Sequence, residues 1–197
     1  MSFQKNIMIV GVGGQGTLLA SRILGEVLLS QGYDVKVSEV HGMSQRGGSV
    51  VTYVKYGSAV ASPIIDKGEA DVILAFEQLE AVRWLPYLKL GGKLITNTQR
   101  MNPMPVITGV AEYPEDLLAL LEGAGVDLLT LDALALAEQA GSVKAVNVVL
   151  LGALARQMEF GEEIWQDAVS RTVKPQFAAM NRRAFEMGYR GQSVAAN

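Results

Sequence analysis

The sequence predicts an α/β fold in which a mostly parallel sheet is covered by helices on both faces. The first observation is that short apolar runs rich in β-branched residues alternate with helical segments. The second is a glycine-rich turn, residues 11–16, between the first apolar run and the first helical segment. The third is that the chain after residue 143 reads as consecutive helices. Together these features indicate a Rossmann-like sheet followed by a helical C-terminal part.

The first predicted elements surround the glycine turn. A strand over residues 6–12 precedes it, and a helix over residues 15–31 follows it until Gly32 ends that helix. The second strand covers residues 34–40. A strand over residues 49–56 follows with no helix before it, so we expect it to pair antiparallel at an edge of the sheet.

Strands and helices continue to alternate along the rest of the chain. Gly91 and Gly92 interrupt the chain before one strand, and Pro103 and Pro105 mark a loop. The helix that contains Asn147 is apolar on most sides, which predicts burial against another subunit. The remaining predicted strands are residues 70–76, 93–97 and 126–131, and the helices are residues 77–88, 115–123, 133–140, 143–158, 162–173 and 176–187.

Length and composition limit the classes of protein to which the chain can belong. A length of 197 residues, 49% of them hydrophobic, predicts a single domain over residues 1–190 with a loose tail at 191–197. A net charge of −3 gives no broad basic surface, so nucleic acid is not an expected partner. Because no apolar run reaches about 18 residues and no signal peptide is recognisable, we expect a cytoplasmic protein without membrane contact. The absence of cysteine excludes disulfides, thiolate-ligated zinc and cysteine-held iron–sulfur clusters.

The glycine turn is the first candidate binding site, formed by Gly11, Gly13, Gly14, Gln15 and Gly16. Glycines let the backbone approach a ligand closely, because they have no Cβ. The first free N–H groups of the following helix would point at an anion, and the helix dipole favours negative charge there. The sequence therefore predicts a nucleotide phosphate site, and the alternative is a tight turn that binds nothing.

The segment after the second strand supplies a second group of candidates. His41 is the only histidine, and it could move a proton or serve only as a hydrogen-bonding residue. Arg46 stands before Gly47 and Gly48, so a planar cation in this loop could clamp an anion in the crevice that the glycine turn faces. The alternative is a solvated arginine before a turn.

Polar residues at strand ends and inside an apolar helix complete the candidates. Glu39 follows Gly16 by 23 residues, a spacing that suits either a ribose-binding acid or a solvated one. Asn97 ends a strand, where it could contact a ligand or cap a helix. Glu77 lies at another strand end and could complement a helix dipole. For Asn147 we favour a hydrogen bond to neighbouring backbone over ligand contact.

These residues in combination resemble a known family. Residues 11–16 followed by Leu18-Leu19-Ala20, together with the segment that runs from His41 to Val50, are similar to the gamma-type subunit or domain of 2-oxoacid:ferredoxin oxidoreductases. The His-Gly-Met-Ser-Gln-Arg-Gly-Gly form of this segment most resembles the indolepyruvate branch of the family. Residues 80–81, 97–98 and 144–147 also resemble family positions, and the match covers roughly residues 4–188.

The resemblance implies a division of labour between subunits. The family decarboxylates a 2-oxoacid on thiamine diphosphate, passes two electrons through iron–sulfur clusters to ferredoxin, and delivers the acyl group to coenzyme A. The resemblance places thiamine diphosphate and the clusters on a large alpha subunit, with which this chain would form a hetero-oligomer. For the isolated chain, a homodimer is the alternative assembly. The lack of cysteine agrees with that division.

The resemblance also implies roles for the candidate residues. This chain would help to bind coenzyme A and would close over the active site of the partner. The glycine turn and the segment Ser44, Gln45, Arg46, Gly47 and Gly48, together with Asn97, would contact the coenzyme, and His41 would shape the mouth of the active site. Two alternatives stay open on the sequence. One is a free-standing NAD(P)-dependent oxidoreductase, and the other is a nucleotide-binding regulatory module without chemistry.

Overall fold

A computed structural model describes residues 3–41 and 48–191 of the chain, and for His41 the description covers the backbone. Residues 192–197, most of the predicted tail, lie outside the described residues. The strands are β1 (Gln4–Val12), β2 (Asp34–His41), β3 (Ser49–Gly57), β4 (Ala70–Ala75), β5 (Leu88–Asn97) and β6 (Asp127–Leu131). The helices are α1 (Thr17–Ser30), α2 (Gln78–Trp84), α3 (Met104–Ile107), α4 (Leu117–Gly123), α5 (Ala133–Ala140), α6 (Val146–Ala155), α7 (Glu162–Thr172) and α8 (Pro175–Arg190).

The strands form one mixed sheet in the order β2-β3-β1-β4-β5-β6. The pairs β1–β4, β4–β5 and β5–β6 are parallel, which confirms the predicted α/β class. Because these strands run in one direction, their carboxyl ends meet at a single edge of the sheet. The glycine turn follows β1 at that edge.

Strand β3 is antiparallel, as predicted, but its predicted position at an edge is wrong. It lies between β1 and β2 and pairs along its whole length with both, while β2 forms the edge. The connection from His41 to Ser49 is too short for the crossover that a parallel neighbour requires, so β3 returns directly beside β2. Its other side then pairs with β1.

Two predicted boundaries also needed correction. Strand β5 begins at Leu88 rather than after the glycine pair, and it accommodates Gly91 at φ 72° beside a register shift against β4. Helix α2 ends at Trp84, and a short 3₁₀ turn that includes Pro86 leads into β5. The predicted proline loop contains the one-turn helix α3.

The two faces of the sheet carry separate hydrophobic cores, so the prediction of helices on both faces is confirmed. Alternate residues of β1 supply them: Ile7 and Ile9 pack with α1 and the C-terminal helices, whereas Met8 and Val10 pack with α2 and α4. All ten residues of α6 are buried within this chain, mainly beneath α8, so the predicted burial against another subunit is wrong. Within the described residues, no helix is long and apolar enough to cross a membrane.

Candidate functional site

The glycine turn connects Val12, the last residue of β1, to Thr17, the first residue of α1. Gly14 and Gly16 have φ values of 102° and 83°, a backbone conformation that residues with a Cβ rarely adopt. The backbone N–H groups of Gly14, Gly16, Thr17 and Leu18 have no acceptor among the described residues. The turn therefore offers several hydrogen-bond donors at the positive end of a helix dipole, which is the arrangement that binds phosphate.

Gln15 braces this turn from inside. The backbone N–H of Val12 donates to its Oε1 at 2.7 Å, and its Nε2 donates to the carbonyl of Phe76 at 3.1 Å. Gly11 makes room for that side chain, because a Cβ there would lie 2.8 Å from Gln15 Oε1. The side-chain amide of Gln15, expected among the ligand contacts, is thus bonded to the protein.

Asn97, also expected at the ligand, is fully buried at the end of β5. Its Nδ2 donates to the carbonyl of Phe76 and to Gln99 Oε1, both at 3.3 Å, and its Oδ1 accepts from the N–H of Ala133 at 3.1 Å. Asn97 therefore caps the first turn of α5 and contacts protein on every polar atom. The geometry matches the capping alternative rather than ligand contact.

Asn147 ties the start of α6 to the glycine turn. Its Oδ1 accepts from the N–H of Val148 at 3.0 Å, and its Nδ2 donates to the carbonyl of Gly16 at 3.2 Å. A Cβ on Gly16 would lie 2.6 Å from that Nδ2. The predicted bond to neighbouring backbone is confirmed, and the second bond, to a residue 131 positions away, could not be read from the sequence.

One cavity of about 360 Å³ lies between the glycine turn and strands β2 and β3. Glu39 is the charged residue in its lining, and Ser21 Oγ donates to Glu39 Oε1 at 3.2 Å. Thr52 also lines it, and its buried hydroxyl has no hydrogen-bond partner among the residues that the structure describes. The other lining residues are Gly13, Gly14, Gly16, Thr17, Leu18 and Val50.

A second cavity, of about 800 Å³, lies on the opposite side of the turn, towards α6. Its lining joins one cation, Lys144, to a largely apolar wall. Sequence reasoning identified Lys144 only as a family position and did not place it at a cavity. The lining residues are Gly13, Gly14, Gln15, Gly16, Gln99, Met101, Leu134, Val143, Lys144 and Val146.

The position of β3 weakens the dinucleotide interpretation of Glu39. In a dinucleotide-binding sheet the strand that ends in the ribose-binding acid lies next to β1. Here Glu39 pairs with Thr52 of β3, and Thr52 pairs in turn with Ile9 of β1. The acid is therefore two strand spacings, roughly 10 Å, from β1 rather than one.

Glu77, the residue that precedes α2, holds the segment that follows β5. Glu77 is buried, and its carboxylate accepts from the N–H groups of Glu80 at 3.0 Å and Met101 at 3.1 Å and from the hydroxyl of Tyr113. Burial and this bond raise the pKa of Tyr113, so the tyrosine stays a donor. The guanidinium of Arg100 lies 4.3 Å from the centre of the Tyr113 ring. Glu77 thus fixes the segment that contributes Met101 to the larger cavity.

Glu80, one turn further along α2, holds the start of β3. Its buried carboxylate accepts from the hydroxyl of Ser49, from Trp84 Nε1 at 3.2 Å and from Arg83 Nε at 3.0 Å. Since Ser49 is the first residue of β3, Glu80 sets the point at which the preceding loop rejoins the sheet. The sequence contained no signal for the Ser49 and Trp84 contacts.

The remaining predicted residues belong to the loop before β3. Ser44, Gln45, Arg46 and Gly47 lie outside the described residues, as does the side chain of His41. The carbonyl of Gly48 accepts from the N–H of Gly13 at 2.9 Å, and this bond brings the end of the loop to the glycine turn. Among the described residues, no group of three or more acidic or histidine side chains could hold a metal ion.

The chain is similar along its length to curated oxidoreductase subunits. It is 44% identical to the indolepyruvate oxidoreductase subunit IorB of Thermococcus kodakarensis over 94% of each chain. It is 42% identical to the subunit of the same name from Pyrococcus horikoshii over 98% of each chain.

Solved structures share the fold. The gamma subunit of a keto/oxoacid ferredoxin oxidoreductase from Geobacter sulfurreducens is 26% identical, with a TM-score of 0.69 over 98% of this chain and 99% of that one. The 2-oxoglutarate:ferredoxin oxidoreductase of Magnetococcus marinus, solved with 2-oxoglutarate, coenzyme A and succinyl-CoA bound, is 19% identical, with a TM-score of 0.71 over 95% of this chain and 31% of that one.

The model of one protein family, pyruvate ferredoxin/flavodoxin oxidoreductase, matches residues 6–191. That match spans both cavities, the glycine turn and the helices beneath it. With the identity to the archaeal subunits, it confirms the resemblance predicted from the glycine turn and the segment after β2. The chain belongs to the pyruvate ferredoxin/flavodoxin oxidoreductase family.

Proposed function

We propose that this chain is the small subunit of an indolepyruvate-type, ferredoxin-dependent 2-oxoacid oxidoreductase and that it contributes to coenzyme A binding. The complex would decarboxylate an aryl 2-oxoacid oxidatively, transfer the acyl group to coenzyme A and pass electrons to ferredoxin. The 44% identity to an indolepyruvate oxidoreductase subunit over 94% of each chain supports the substrate class. The electron acceptor and the absence of a membrane-spanning helix among the described residues are compatible with the predicted cytoplasmic location.

The hydrogen bond between Gly13 and Gly48 is the observation that carries the coenzyme proposal. It brings the end of the loop that contains Arg46 to a turn in which the N–H groups of Gly14 and Gly16, without an acceptor among the described residues, could bind a phosphate oxygen. Coenzyme A carries a pyrophosphate and a further phosphate on its ribose, so a site with backbone donors and a guanidinium suits it chemically. The adjoining cavity of about 800 Å³ is large enough for a sizeable part of such a ligand.

The redox cofactors would reside on a large partner subunit. The chain has no cysteine to ligate an iron–sulfur cluster, and its sequence contains no Gly-Asp-Gly…Asn motif for thiamine diphosphate. We infer that the segment from His41 to Gln45 lies at the mouth of the partner's active site, where it would help to exclude water. His41 would shape that site rather than transfer a proton, since the sequence offers no second histidine.

The proposal is tested by substitution in the complex reconstituted with the large subunit. Arg46→Ala should raise the KM for coenzyme A about ten- to a hundredfold, because one charge-assisted hydrogen bond is worth about 1.5–3 kcal/mol. Arg182→Ala, at an exposed position on α8, is the matched control and should leave the KM unchanged. If Arg46→Ala leaves both the KM and the rate at the wild-type values, Arg46 does not bind a phosphate of coenzyme A.

The dinucleotide alternative has weaker support because β3 separates Glu39 from β1. It predicts that the chain alone binds NAD tightly and that Glu39→Gln weakens this binding. A regulatory module would bind an adenylate but would leave the turnover of any large subunit unchanged. Dependence of turnover on both chains, without NAD, supports the proposed subunit and contradicts both alternatives.

A further inference from the structure

We propose that the phosphate-bearing end of coenzyme A enters the cavity on the α6 side of the glycine turn, where the ammonium of Lys144 pairs with one of its phosphates. This inference rests on the proposed function and adds the side of the turn on which the coenzyme lies. It also adds a phosphate-binding residue outside the loop of residues 42–47. Four features of the structure support it.

The first feature is that, of the two cavities that flank the turn, the larger one has a cationic residue in its lining. The smaller cavity, of about 360 Å³, has Glu39 in its lining, whereas the larger, of about 800 Å³, has Lys144. Both share Gly13, Gly14 and Gly16, so a phosphate could reach the same backbone donors from either side. Coulomb interaction favours the side that carries the cation.

The second feature is that Lys144 is available for a ligand. The residue is exposed and makes no ion pair with a described carboxylate. Most other lysines at cavities of this fold have such a partner: Lys5 lies 3.4 Å from Asp71, and Lys93 lies 2.9 Å from Asp127. An ammonium without a carboxylate partner can pair with an incoming anion without the loss of an existing ion pair.

The third feature is the fixed position of Lys144 relative to the turn. Its backbone N–H donates to Ser142 Oγ at 3.2 Å, within a short 3₁₀ turn that leads into α6. Three residues later, Asn147 donates to the carbonyl of Gly16 at 3.2 Å. This bond ties the start of α6 to the turn and so positions the lysine backbone relative to the glycine donors.

The fourth feature is the apolar part of the cavity wall. Met101, Leu134, Val143 and Val146 line the cavity beside the cation and the turn. An apolar surface next to phosphate donors suits a ligand with a flat organic ring attached to its phosphates, such as the adenosine of the coenzyme. A free inorganic phosphate would leave that wall in water.

The inference is tested with Lys144→Gln in the complex reconstituted with the large subunit. We expect the KM for coenzyme A to rise about tenfold or more at unchanged kcat, because a charge-assisted contact to phosphate is lost. Lys144→Arg should restore most of the affinity. With pantetheine, the phosphate-free thiol portion of the coenzyme, as acyl acceptor, Lys144→Gln and the wild type should react equally.

Lys67→Gln is the matched control. Lys67 is an exposed lysine in the turn before β4, so it lies at the opposite edge of the sheet, and its replacement should leave the KM for coenzyme A unchanged. A Lys144→Gln complex with a wild-type KM overturns the inference, as does an equal loss with pantetheine. If Arg46→Ala raises the KM while Lys144→Gln does not, only this inference fails. If neither substitution changes the KM, the proposed coenzyme function fails as well.

Discussion

Gly11, Gly14 and Gly16 are glycines for different physical reasons. Gly11 leaves space for the side chain of Gln15, whereas a Cβ on Gly14 would meet nothing within 4 Å. Gly14 is required only by its φ of 102°. Gly16 combines both demands, because its φ is 83° and its missing Cβ makes room for Asn147. Substitutions at Gly14 and Gly16 therefore distinguish the cost of backbone strain alone from the cost of strain plus a lost contact.

We predict that Gly16→Ala destabilises the chain more than Gly14→Ala. Both substitutions force a side chain into the left-handed region, at a cost of about 1–2 kcal/mol. Gly16→Ala also places a Cβ 2.6 Å from Asn147 Nδ2 and so displaces a partly buried hydrogen bond worth about 1 kcal/mol more. Urea unfolding of the two variants measures the difference in free energy of unfolding. Equal losses would show that Asn147 adjusts at no cost.

Single polar residues show where prediction from sequence ends. The spacing placed Asn97 at the correct edge of the sheet, but its amide turns inward to Phe76 and Ala133. Gln15 stands in the predicted turn, yet its side chain braces the backbone. The local sequence pattern predicts the strand end at which a residue lies. The direction of its side chain depends on partners that are distant in the chain.

Helices α6 and α8 cross at two glycines. A Cβ on Gly152 would overlap the carbonyl oxygen of Phe185, and a Cβ on Gly188 would overlap that of Val149. This close approach is how α8 covers α6, whose residues are all buried. An apolar helix with glycines at such a crossing needs no second subunit to cover it, which is why the expected subunit contact was wrong.

We predict that Gly188→Ala destabilises the chain by more than about 3 kcal/mol, because the two helix backbones must separate and leave packing defects. Gly25→Ala is the matched control inside α1, where an added Cβ meets nothing within 4 Å. It should stabilise the chain by about 0.5–1 kcal/mol through higher helix propensity. Thermal unfolding of both variants measures these changes in stability. A small loss of stability for Gly188→Ala would contradict the close contact between α6 and α8.

Most elements could be predicted from local patterns, but their arrangement in the sheet could not. The β-branched run over residues 49–56 predicted β3, and the short connection from β2 predicted its antiparallel direction. Its place between β2 and β1 depends on which strand covers its second side, and no local pattern encodes that choice. The glycine pair before residue 93 suggested a break, whereas pairing with β4 extends β5 back to Leu88.

The sheet carries its candidate binding site and an aromatic cluster at opposite edges. The carboxyl ends of the parallel strands carry the glycine turn, both adjoining cavities and the buried glutamates of α2. Near the amino ends, the rings of Phe3 and Tyr33 contact Tyr56, with 5.2 Å between the ring centres of Tyr33 and Tyr56, and Phe160 contacts Tyr33. Stability at this second edge can therefore be altered without a change in the candidate site.

We predict that the chain loses stability between pH 10 and about pH 12, partly through Tyr56. Burial, and then the nearby Tyr33, raise the pKa of this phenol from 10.0 to about 12. In that interval the unfolded chain has released the proton and the folded chain still holds it, so each pH increment favours unfolding. Below pH 10 Tyr56 is protonated in both the folded and the unfolded chain, so it adds no pH dependence to the free energy of unfolding.

Tyr56→Phe tests this linkage, because phenylalanine keeps the ring and removes the ionisable group. Urea midpoints measured from pH 8 to pH 12 should fall less steeply for the variant than for the wild type above pH 10 and run parallel below it. Some alkaline loss should remain, since burial also raises the pKa of Tyr113, at the other edge of the sheet. Identical curves for the two proteins above pH 10 would mean that Tyr56 ionises as easily folded as unfolded, and that its edge of the sheet is open to water.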